Sequence, residues 1–209
     1  MDKLVLTANQ IYALAQILKA KYLDYYYISL ASKNTDGVWL NENTKSLVSK
    51  GVLSEDFSGD ITVDPEVETL VKPLFFGTKE SSLDINIFGD TEDNIGYRFH
   101  FYDDRVIMTK TVEDGFEITE VSSDDILMIV SKVLPAGYSA QTEKVDIEID
   151  PDEVSRVFVV KNTEVDVKSE VATLVETDGV IYEENTDAEM FSVSEEDFMN
   201  KICKILTEV

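Results

Sequence analysis

Apolar positions along the chain change their spacing, from a helical repeat near the amino terminus to a strict alternation in the middle. Leu4-Val5-Leu6 reads as a short strand. Thr7 followed by Gln10 has the form of a capping box, and Ile11, Leu14, Ala15 and Leu18 then recur at helical spacing through Lys19. The aromatic run Tyr22 to Ile28 suits either helix or strand. Asn43 to Lys50 predicts a short helix closed by Gly51, with Val52-Leu53 packing back on it. Asp64-Pro65 is an N-cap with proline at the first helical position, and Val67, Leu70, Val71 and Leu74 form the buried stripe that follows.

After Gly77 the period becomes two. Leu83, Ile85 and Ile87 alternate with polar residues, and Tyr97, Phe99 and Phe101 alternate with Arg98, His100 and Tyr102. Acidic turns at Asp103-Asp104 and Glu113-Asp114-Gly115 separate two further strands, so the pattern predicts a four-stranded antiparallel meander. Ser122 then caps a helix carrying Ile126, Leu127, Ile129, Val130, Val133 and Leu134, stopped by Pro135 and Gly137.

An internal repeat organises the rest. Glu117 to Leu134 lies without gaps on Glu189 to Leu206 at a constant offset of 72. Identities fall at Glu117/Glu189, Val121/Val193, Ser122/Ser194, Asp125/Asp197, Lys132/Lys204 and Leu134/Leu206. Upstream, Val106-Ile107-Met108 matches Val180-Ile181-Tyr182. Such a period is too long for a solenoid, and two copies are too few for an array. The expected fold class is therefore α+β: a pseudo-two-fold body of antiparallel sheet and helices, built from a duplicated meander-helix unit, with an N-terminal helical segment. The expected organisation is one compact domain over 1–209, with the helical segment at 1–78, the first meander-helix unit at 79–137 and the second at 138–209. Between the copies, Lys144 to Ile149 reads as a strand, Val154 to Val160 as strand or helix, and Val167, Val171, Leu174 and Val175 favour a helix before the Asp178-Gly179 turn.

Composition adds charge to this picture. The 209 residues are 44% hydrophobic, with 18 Lys+Arg against 42 Asp+Glu and a formal charge of −24. That apolar fraction supports a folded core. Residues 1–50 carry a net +2, which leaves −26 on the remainder. A field of that sign repels nucleic-acid phosphates and anionic lipid, and it suits a basic protein partner or plain solubility. The first ten residues do not form a signal peptide, no stretch is apolar enough for a membrane span, and a single cysteine, Cys203, makes no internal disulfide. A cytoplasmic location is expected.

Catalytic chemistry finds little support. The one histidine, His100, sits in a predicted strand and is expected on the sheet surface, with no Gly-x-Ser-x-Gly elbow anywhere. Cys203 lies among Ile202, Ile205 and Leu206 and reads as a buried structural thiol. One His and one Cys make no zinc site, and no glycine-rich phosphate loop occurs. Gly89 to Asn94 and Asp146 to Asp152 each resemble a loose calcium loop without EF-hand spacing, and read more simply as a solvated turn and a charge-protected strand edge. No enzyme activity, metal or cofactor is expected.

The opening of the chain resembles a known family. Leu6-Thr7 with Ile11 and Leu14, then Leu47-Val48-Ser49-Lys50-Gly51-Val52-Leu53, then Val63-Asp64-Pro65 with Leu70 and Pro73, is similar to the start of the EspG-like chaperones of type VII secretion. The resemblance implies a pseudo-two-fold α+β fold and a non-enzymatic cytosolic adaptor that binds a helical secretion substrate and keeps it soluble and export-competent. Such a protein needs an apolar patch rimmed by charge. From residue type, Tyr97, Phe99 and Phe101 are the candidate partner-binding residues. Charge substitution at Phe99 or Phe101 is expected to weaken partner capture with circular dichroism unchanged, and loss of folding instead would make them core. The alternative is an acidic immunity or antitoxin protein that neutralises a basic toxin. A minor third reading makes residues 1–76 a winged-helix DNA binder, for which Lys45 and Lys50 are a thin basic surface.

Overall fold

The computed structural model describes residues 3–32, 36–88, 93–133, 135, 137–165, 167 and 169–207. Antiparallel sheet and, among the described residues, six α-helices make the class α+β, as the two periods predict. The chain divides into two units, Met1–Thr78 with His100–Val121, and Lys79–Phe99 with Ser122–Val209.

In the first unit, strand β1 (Leu4–Leu6) leads into helix α1 (Ala8–Ile17). The Thr7 hydroxyl accepts the Gln10 amide at 3.2 Å while the Gln10 side chain accepts the Thr7 amide at 3.0 Å, which is the expected capping box. Helices α2 (Tyr25–Leu30) and α3 (Gly37–Ser49), the hairpin β2 (Leu53–Glu55) and β3 (Ile61–Val63), and helix α4 (Pro65–Phe76) follow. The aromatic run that suited two structures is thus helical from Tyr25. Strands β6 (Arg105–Val112) and β7 (Gly115–Val121) and the end of β5 (Asp93–Tyr102) complete the unit, in the order β1-β7-β6-β5. Leu4 and Leu6 sit opposite Ile118 and Phe116, and these four with Ile107 meet Ile11, Leu14, Leu47, Val71 and Phe75 in one buried cluster. At Gly115 the backbone has φ +136° and a Cβ would stand 2.4 Å from the Leu6 carbonyl oxygen, so only glycine lets β7 approach β1 here.

The second unit takes β4 (Lys79–Ile87) and the start of β5, then helix α5 (Ser123–Lys132), β8 (Glu143–Val145), β9 (Val154–Glu164), β10 (Glu170–Thr177), β11 (Val180–Glu184), β12 (Met190–Ser192) and helix α6 (Glu195–Thr207). Its order is β5-β4-β9-β10-β11-β12-β8. Strand β4 of the first repeat copy therefore pairs with β9 of the second, Leu83 opposite Val160. Each copy runs as a meander and then a serine-capped helix. Asp125 N–H donates to Ser122 Oγ at 3.2 Å, and Asp197 N–H donates to Ser194 Oγ at 3.3 Å. Below the caps, Ile126 and Val130 are buried in α5 where Phe198 and Ile202 are buried in α6. Leu134, the last matched residue of the first copy, lies outside the described residues.

The caps are testable. Replacing both serines by alanine is expected to lower stability by about 1 kcal/mol per site in denaturant titration. Hydrogen bonds from the Ser122 backbone and side chain hold Asp125 below the usual carboxylate range, and those from Thr142 and Ser194 do the same for Asp197. A depressed carboxylate contributes its stabilisation above the unfolded pKa and loses it as pH falls through the folded one. The double variant should therefore lose less stability than the wild type on acidification through and below the ordinary aspartate range.

Two local expectations are corrected. The predicted helix at Val167 to Val175 is strand β10 from Glu170: Val171, Thr173, Val175 and Thr177 are β-branched and alternate, and the segment pairs with β9 on one side and β11 on the other. The predicted strand at Lys144 to Ile149 ends at Val145, the last residue that β12 pairs, and Ile147 is left 42% exposed.

Candidate partner-binding surface

Residues that pair across a sheet share a face, so the registers sort the second unit's side chains into two sets. Ile85, Phe158 and Leu174 fall on one face, which α6 covers. Phe198 meets Phe158 edge-on at 5.5 Å, Lys201 pairs with Glu183, and Ser81 Oγ donates to the Leu206 carbonyl at 2.9 Å. Val171, Val175, Tyr182 and Met190 fall on the other. None of these four is fully buried, and Val171 is 55% exposed.

Two hollows, of about 560 and 600 Å3, open beside this second set, and the first also takes Ala172, Glu183, Lys201 and Ile205 from the α6 side. They share Ile149, Val175, Glu184 and Met190, so they form one continuous surface. Its margin is acidic. Glu170, Glu183 and Glu184 border the first hollow, and Asp146, Glu148 and Glu189 border the second. The two lysines there are engaged, Lys201 with Glu183 and Lys144 with Glu189 at 2.6 Å. Hydrogen bonds from Lys144 and Asn185 hold the Glu189 carboxyl below its ordinary range.

Tyr97, Phe99 and Phe101 lie elsewhere, on β5. They are 8%, 0% and 9% exposed, and Tyr97 stacks on Phe99 at 6.5 Å. The alternate residues are covered as well: Arg98 is buried and bonded to Asp84 at 2.8 Å. His100 is not on the sheet surface as its alternation suggests. It is buried, with Nε2 3.0 Å from the Tyr27 hydroxyl, which is also bonded to Thr109. Helix α2 supplies that Tyr27, and no periodicity within β5 could announce it. Cys203 is half-buried and burial pushes its thiol up, away from thiolate chemistry at neutral pH.

Among the described residues no three His, Cys, Asp or Glu converge to hold a metal ion, and no helix is long and apolar enough to cross a membrane. Gly89 to Glu92, part of one loose calcium-like segment, lies outside the described residues. In the other, the Asp150 side chain accepts the Asp152 amide and caps a single 3-10 turn at Pro151–Glu153.

No protein-family model matches the chain, and no curated protein does. Among solved structures, the chain is similar to the Mycobacterium tuberculosis type VII secretion system chaperone EspG5, solved in complex with the PE25-PPE41 dimer, with a TM-score of 0.67 at 9% identity, over 98% of this chain and 95% of that one. The fold is EspG-like. The likeness spans both meanders and both capped helices, and at 9% identity it is a likeness of fold, in which no individual contact residue is carried over.

Proposed function

We propose that this protein is a non-enzymatic cytoplasmic adaptor or chaperone that binds a helical type VII secretion substrate and keeps it soluble and export-competent. The observation that supports it is the EspG-like fold over 98% of the chain, a fold seen in the type VII secretion system chaperone EspG5 in complex with the PE25-PPE41 dimer. The acid-bordered apolar hollows of the second unit are the surface we assign to partner binding. In this reading the second repeat copy, 138–209, supplies the binding surface, and Tyr97, Phe99 and Phe101, buried on β5, do not line it.

The same acidic margin favours a second reading, an immunity or antitoxin protein that occupies the basic site of a toxin. Salt separates the two, because contacts between exposed charges weaken as the Debye length shortens while apolar burial does not. Tagged protein isolated from its host should retain a stoichiometric helical secretion substrate at both moderate and high salt. Recovery of a basic enzyme that is silent while bound and lost as salt rises would replace the chaperone reading with the antitoxin.

A further inference from the structure

We infer that the paired hollows of the second unit take a basic amphipathic segment of a protein partner, its apolar side chains on the Val171, Val175, Tyr182 and Met190 face and its Lys or Arg heads against the acidic margin. The inference rests on the reading above only in requiring a protein partner, and it specifies that partner's chemistry and the place where it docks.

The apolar half comes from the strand registers. The sheet face that carries Ile85 and Phe158 packs on α6, and the opposite face is left to solvent at Val171, which no neighbouring element covers beyond about half of its surface. A β-branched residue so exposed beside two further partly exposed apolar side chains gains about 25 cal/mol for each Å2 a partner removes from water. Ile147 and Ile149 extend that surface from the chain segment that leaves β8.

The charged half selects the occupant. Six carboxylates border the hollows against two lysines, and both lysines already hold a carboxylate, Glu183 or Glu189. Asp146, Glu148, Glu170 and Glu184 are left exposed and in no ion pair among the described residues. An acidic or neutral segment would bring apolar groups here against an uncompensated negative field, and an anionic membrane or a second copy of this −24 chain would be repelled. A cationic segment satisfies both halves, and the field steers it in. This also accounts for part of a charge excess that the fold itself does not require.

The test uses the full chain and a short fluorescent peptide alternating leucine with lysine, followed by anisotropy, alongside the same peptide with glutamate in place of lysine. The lysine peptide should bind and the glutamate peptide should not. Glu170→Lys with Glu184→Lys should weaken binding roughly tenfold or more. The matched reversal Glu113→Lys with Asp114→Lys, in the exposed β6–β7 turn, should leave it nearly unchanged. Val171→Asn, which changes no charge, should weaken it severalfold, and circular dichroism should show all variants folded. Equal weakening by the two reversals would reduce the effect to net charge and overturn the site, as would tight binding of the glutamate peptide or no binding of either. The adaptor reading fails separately. Wild-type protein that binds the lysine peptide in the hollows but retains no secretion substrate in its host would sink that reading and leave the hollows standing. A retained substrate indifferent to Glu170→Lys with Glu184→Lys would do the reverse.

Discussion

Phe99→Asp is expected to abolish the cooperative unfolding transition and leave the chain largely unfolded at neutral pH. Phe99 has no exposed surface and its ring stacks on Tyr97. The substitution removes a side chain whose burial stabilises by about 2–3 kcal/mol and opens a cavity in its place. It also requires a carboxylate either to stay charged among apolar groups or to take up a proton, each at a cost of several kcal/mol. Together these match the whole stability of an ordinary domain, about 5–15 kcal/mol. The matched control is Phe57→Asp. Phe57 is fully exposed in the turn between β2 and β3, where the Asp56 carboxylate already accepts the amides of Ser58 and Asp60 at 2.8 and 3.0 Å. The same chemical change there should move stability by no more than about 0.5 kcal/mol. Thermal melts followed by circular dichroism decide it. A folded Phe99→Asp protein that has lost its partner would restore Phe99 as a direct contact.

The contrast between those two phenylalanines shows where sequence reading succeeds and where it stops. Elements announced by local chemistry were legible: the Thr7 capping box, proline at the first position of α4, Gly51 after α3, and the serine caps of both repeat copies. The duplication was legible because its two helices carry equivalent caps and equivalent buried positions, Ile126 with Phe198 and Val130 with Ile202. What failed depended on partners distant in the chain. An aromatic alternation such as Tyr97, Phe99 and Phe101 is the same whether the sheet face meets another protein or is closed within the fold. Only the placement of other elements, as with Tyr27 of α2 over His100, decides that question. Strand β10 was misread for a related reason. Val167, Val171, Leu174 and Val175 suit a helical stripe, and its two hydrogen-bonding neighbours outweigh that spacing. The hollows were invisible in sequence, since Ile149, Val171 and Met190 come from separate segments that only the folded arrangement brings to one surface. Their charge signal was visible, as the −26 on the chain after residue 50, without a location.

The second large effect is expected at Phe198. In the repeat this residue takes the place of Ile126, and both are buried at the same level below their serine caps. Phe198 does more than its counterpart because it lies against two rings at once, Phe158 of β9 and Tyr138, each at 5.5 Å with the rings steeply inclined. Phe198→Ala removes about 3–5 kcal/mol through lost burial and the cavity left behind, and the two edge-on contacts place it toward the upper end. For a chain of this size each kcal/mol shifts the midpoint by about 2–4 °C, so the melt should fall by on the order of 10 °C. Ile126→Val, a loss of one methylene at the equivalent position, should cost only about 0.5–1.5 kcal/mol. The functional consequence follows from topology. α6 packs on β9 and β4, and its Lys201 and Ile205 line the first hollow themselves, so a weakened α6 lets the docking surface open locally at a lower free energy. Hydrogen exchange of Phe198→Ala should therefore show faster exchange in β10 than in β1, with the protein still folded at room temperature. Uniform acceleration across both strands would mean that the substitution acts only through global stability and that α6 does not selectively support the surface.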